Sequence, residues 1–209
     1  MVGDPPNKFF VLLDYLLIGR YLYAVTTREN IIQLGDQFIR NKGFNAFSFY
    51  DISKELRIKN ASIHYHFQTK TDLGVCIVKE HTEKLHSLIQ ATAGKSPHVK
   101  LSAFLSTYST IHSEGRVCLV GSLATDLNSV DPRIGQALRL FANEILTWVT
   151  SILEEGKEKK IFSFHGRART KALMIITNML AALQLSRLTN EDDFNTIKNE
   201  VVKEIMAKQ

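Results

Sequence analysis

Lys59, Asn60, Ser62, His64 and Tyr65 crowd one short polar stretch, and Lys70 follows it closely. These side chains are donors and acceptors suited to the edges and backbone of a nucleic acid. An Asn amide can bond two edge groups of adenine at once, and Ser, His and Lys reach base edges or phosphate oxygens. Tyr65 and Lys70 suit phosphate, Lys70 because it opens a helix whose positive end already favours an anion. Ser48 and Tyr50, a little upstream, would add backbone contacts. Polar residues on an exposed helix are usually no more than solvated, so the assignment depends on the elements that hold them.

Those elements are legible from caps and spacing. Thr26 followed by Glu29 has the pattern of a capping box, and the run behind it puts Ile31, Leu34, Phe38 and Ile39 on one face. Gly43 is expected to end that helix in the left-handed conformation that a side chain would disfavour. Ser48 caps a second helix, with Asp51 reaching back and Phe47 stapled against Ile52, ending near Leu56. A turn of about four residues leads to a third helix, Asn60 to His66, too short to stand alone. Thr69 with Asp72 makes another box and opens a long helix at Lys70. Helix, tight turn, short polar helix is the helix-turn-helix layout, in which the second helix of the pair enters the DNA major groove.

The stretch ISKELRIKNASIHYHFQTKTDL, Ile52 to Leu73, resembles the DNA-binding signature of TetR-type (tetracycline-repressor-like) bacterial regulators. Ile52, Leu56, Ile58, Ser62, Ile63, His66, Phe67, Lys70 and Leu73 fall where that pattern wants them, as do Gly43 and Ser48 upstream. Three positions depart from it. Arg57 stands where the family usually has a turn glycine, so either a bulky residue bears a positive φ or the turn differs. Lys59 occupies the usual Ser cap, and Asn60 is expected to take over that job. Tyr and His are exchanged at 64 and 65, which makes Tyr65 the aromatic to lay against phosphate. The resemblance implies a transcriptional regulator acting on double-stranded DNA as a homodimer. It further implies a repressor, cytoplasmic and nucleoid-associated, that leaves a palindromic operator when a small-molecule effector binds.

Beyond the head, the sequence predicts helices from Asp72 to about Ala93 and from Pro97 to His112. Further helices are expected from Pro132 to Glu155 with Gly156 closing it, from Arg167 to Leu188, and from Phe194 to Ala207 capped by Asn190 with Asp193. The expected fold is all-α: a three-helix helix-turn-helix DNA-binding domain over 26–72, then a helical ligand-binding and dimerisation domain over 73–209. The helices around Leu138–Ile152 and Leu173–Leu185 offer more apolar surface than one body needs, which suits pairing across a two-fold axis. Phe104, Tyr108, Phe141 and Trp148 could line an effector pocket, and ordinary core packing explains them equally well.

Cys118 lies in GRVCLVGSLATDL, which resembles a segment of TetR-type regulators that respond to small electrophilic or unsaturated compounds. Its first reading is a small buried hydrophobe. The alternative is a reactive thiol of the effector pocket, activated at a helix start beside Arg116.

The chain has 209 residues, enough for one or two ordinary domains, with 44% hydrophobic and 22% charged residues. A net charge of +5 and a pI near 9.2 lean mildly towards polyanions. Two cysteines with no CxxC, and histidines without ligand spacing, give no disulfide scaffold and no metal site. No nucleophile elbow, P-loop or dinucleotide fingerprint is present, so no catalytic residue and no cofactor is assigned. The other class to weigh is a helical small-molecule carrier or enzyme with an incidental helix-turn-helix. Residues 1–25 form an N-terminal extension of uncertain role. Its apolar run is broken by Asp14 and Arg20, which favours an extra helix, or a native start nearer Thr26, over membrane insertion.

Overall fold

The computed structural model describes residues 26–206, so the readings of 1–25 lie outside it. Three helices build the head: α1 (Thr27–Lys42), α2 (Phe49–Leu56) and α3 (Asn60–His66). Six more follow: α4 (Lys70–Ala91), α5 (Pro97–Ser113), α6 (Leu119–Thr125), α7 (Pro132–Glu158), α8 (Ala168–Leu185) and α9 (Glu191–Ile205). Among the described residues the only extended pairing is an isolated bridge between Phe162 and Met206.

Three reciprocal caps set the head's geometry. Thr26 with Glu29, Ser48 with Asp51 and Thr69 with Asp72 each close a full capping box. Ile31, Ile39, Ile52, Ile63 and Leu73 meet beneath them with at most 1% of their surface exposed, so the short α3 is pinned by Ile63. Arg57 bears the positive φ itself, at φ 54° and ψ 39°, and its N–H closes α2 onto Lys54 and Ser53.

Three local expectations are corrected. Gly43 does end α1 with a positive φ, but at φ 90° and ψ 158° it lies in a region open to glycine alone rather than in the left-handed helical one, where the chain enters the turn Phe44–Ala46. Gly156 does not close α7: the helix runs on to Glu158, and the Phe162 ring lies so close that an added Cβ would stand 2.0 Å from it. The glycine is there for that close approach. Asn190 caps α9 through the N–H of Asp192, while Asp193 instead accepts from the Thr189 hydroxyl.

In the body, α7 packs against α4, α5, α6 and α8, and α8 packs against α9. Ile134, Val149, Ile152 and Leu153 of α7 are fully buried. Along α8, Ile175, Met179 and Leu183 face this core, whereas Leu173, Met174 and Leu185 are exposed.

Candidate nucleic-acid interface and effector cavity

α3 presents its polar residues outward. Lys59, Asn60, His64 and Tyr65 are exposed, Tyr65 by 86%, and Ser62 is half-buried. Asn60 does not take the cap. Lys59 is the N-cap residue and makes no side-chain cap bond, so Asn60 sits inside the first turn with its amide uncommitted to the helix end. His64 lies edge-on to Phe49 at 5.1 Å, and its Nδ1 is 3.3 Å from the Gln68 carbonyl oxygen.

Two residues expected at phosphate are engaged within the head. The Ser48 hydroxyl donates to Asp51 at 2.7 Å, which, with the Ser48 N–H, holds the Asp51 carboxyl below the usual carboxylate range. The Lys70 ammonium turns inward, donating to the Phe47 carbonyl and lying 4.3 Å and 4.6 Å from the ring centroids of Phe47 and Phe44. Burial pushes its pKa down, partly offset by Asp126 and Asp51. Tyr50, by contrast, is 66% exposed.

Behind the head lies a cavity of about 410 Å³ whose wall includes Phe104, Tyr108, Cys118 and Phe141. Trp148 is not in that wall; it backs Phe104 edge-on at 6.1 Å. Cys118 is the N-cap of α6, its Sγ accepting from the Gly121 N–H at 3.1 Å. Its cationic neighbour is Arg40 rather than Arg116, which pairs with Glu114 at 3.4 Å. Burial pushes the thiol up and outweighs the Gly121 N–H, Arg40 and the Val120 N–H, which pull it down. Burial likewise raises the Tyr108 phenol, with Cys118 adding to the shift.

Sequence reading missed the residues that join cavity to head. Arg40, 6% exposed at the end of α1, donates from Nε to the Val117 carbonyl at 2.8 Å and from Nη1 to Asp36 at 3.2 Å. Asp36 also meets His81 Nε2 at 2.8 Å; burial pushes its carboxyl up, but His81 and Arg40 together hold it below the usual range. The Ser122 hydroxyl of α6 donates to the Ile39 carbonyl, and Asp126 accepts the Phe44 N–H at 2.8 Å. Arg133, at the start of α7, reaches Asp72 at 3.0 Å. The only sequence signal for this was an Asp-Arg pair at helical spacing beside the buried Ile39.

A model of the family described as bacterial regulatory proteins, tetR family, matches residues 31–74. A TetR transcriptional regulator from Legionella pneumophila is 30% identical and superposes with a TM-score of 0.77, over 86% of this chain and 97% of that one. The chain belongs to the TetR family. A TetR-family regulator from Agrobacterium tumefaciens, 24% identical, superposes with a TM-score of 0.80 over 86% of this chain and 97% of its own. The HTH-type transcriptional repressor NemR of Escherichia coli K12 is 22% identical over 87% of this chain and 94% of its length. The chain is therefore a DNA-binding transcriptional regulator and not an enzyme, and the carrier-or-enzyme reading falls. TetR-family regulators bind DNA and small-molecule effectors and act as dimers. Among the described residues no helix is long and apolar enough to cross a membrane.

Proposed function

We propose that this TetR-family protein is a homodimeric repressor that reads a palindromic operator through α3 and releases it when a small molecule enters the cavity behind Phe104 and Phe141. The DNA-binding unit covers 26–72 and the effector and dimerisation unit 73–209. Asn60, Ser62 and His64 read base edges, while Lys59, Tyr50 and Tyr65 meet the backbone; Ser48 and Lys70 hold the head in shape. Leu173, Met174, Leu185 and Leu188, all exposed on or just after α8, supply apolar surface for a second copy. Such a protein works in the bacterial cytoplasm, at the nucleoid.

The observation that carries this reading is the double role of α6 and the residues leading into it. Cys118, Leu119 and Val120 wall the cavity, while Val117 and Ser122 hold the end of α1. An effector that prefers a shifted α6 must also prefer a shifted head, and only such differential affinity moves an equilibrium. A two-fold dimer needs its recognition helices about 34 Å apart to meet successive turns of one DNA face, so a modest shift breaks the register.

Footprinting the purified protein on the DNA flanking its gene tests this. The expected outcome is protection of an inverted repeat with half-sites about one helical turn apart, weakening steeply with salt. Equal binding to every duplex offered at moderate ionic strength would defeat the reading.

A further inference from the structure

The guanidinium of Arg40 has one unfinished end. Nε and Nη1 are bonded to Val117 and Asp36, but Nη2 is buried and has no hydrogen-bond partner among the described residues. The nearest carboxylate, Glu114, stands 3.9 Å from it, beyond hydrogen-bond reach. A buried charged donor without an acceptor calls for one to arrive. Arg40 lines the cavity itself; Lys84 adds a second positive charge to the same wall, and Glu114 a single negative one. Much of the remaining lining is apolar, including Leu85, Leu88, Ile111 and Leu119.

We propose that the effector is a small, largely apolar molecule ending in a carboxylate, seated with that end on Nη2 of Arg40. This rests on the reading of the cavity as the effector site and adds its chemical class. The first helix of the DNA-reading head then touches the effector directly. A carboxylate at Nη2 leaves the bonds to Val117 and Asp36 in place but has to displace the packing that buries Nη2 and push past Glu114, so the end of α1 must give when the ligand seats. Guanidinium prefers a carboxylate over a neutral acceptor because the bond is charge-assisted.

Octanoate and octan-1-ol, matched in chain length, are titrated calorimetrically into the full-length protein. Octanoate is expected to bind about tenfold more tightly or better, and Arg40→Gln to abolish that preference. Glu114→Gln removes an exposed carboxylate that partly offsets Arg40, so it should tighten octanoate and leave octanol unchanged. Should Arg40→Gln not fold, the Glu114→Gln pair decides alone: unchanged octanoate affinity overturns the proposal. Equal affinities in the wild type, a preference that survives Arg40→Gln, or no binding of either probe overturn it too. Val120→Phe, which fills the cavity, separates the two readings. If it blocks both probes but they bind the wild type equally, only the Arg40 anchor falls; if both still bind, the cavity reading falls with it.

Discussion

The head and the junction behind it are held together by opposite means. In the head, each helix start is closed by a residue three positions away: Thr26 by Glu29, Ser48 by Asp51, Thr69 by Asp72. At the junction the bonds span great lengths of chain, with Arg40 and Val117 separated by 77 residues and Phe44 and Asp126 by 82. In the head, local chemistry sets where each helix starts, and the core of Ile31, Ile39, Ile52, Ile63 and Leu73 binds the helices together. The junction exists only once the body has folded onto it, so its bonds can be remade without dissolving either side.

Four substitutions test that contrast, the largest effect first. Ile63→Ala empties the site that pins α3 and should cost about 3 kcal/mol of stability, read by denaturant unfolding. Operator binding should fall with it, since α3 cannot persist alone. Asp36→Asn strikes the junction and leaves Arg40 and His81 short of their shared carboxylate, costing about 2 kcal/mol at neutral pH. Asp36 has a folded pKa below its unfolded one. Its contribution is therefore full above about pH 4 and is lost as pH falls through the lower folded value. The wild type's margin over Asp36→Asn should close over that acid range, and a margin independent of pH would refute the assignment. Asn60→Ala should leave unfolding untouched but cost about 2 kcal/mol at one operator base pair and relax preference there, measured by titrating operator variants. Arg57→Gly, smallest, relieves a side chain held at positive φ and should stabilise the head by up to about 1 kcal/mol in thermal unfolding.

What the sequence revealed follows the same division. Capping boxes and the span of α3 depend on neighbours within a few positions and were readable, whereas the turn at Arg57 left two conformations open until the positive φ was seen. Asn60 was misjudged as a cap because residue type alone does not say where the first helical turn begins; Lys59 already has the extended backbone that the position needs. Gly156 looked like a terminator, but its purpose is a ring arriving from Phe162 after the chain has turned. Lys70 looked like a phosphate ligand because its inward partners, the Phe47 carbonyl and two rings, are fixed by packing rather than by spacing. Arg40 was invisible for the same reason: nothing in its own neighbourhood announces that the body will enclose it.

The inward Lys70 also bears on how firmly this protein clings to DNA as salt varies. If that cation keeps its two aromatic faces and carbonyl when the operator is bound, it displaces no counterion from the duplex. The logarithmic salt slope should thus be shallower by about 0.9 for each head than a tally of basic residues on its surface would suggest.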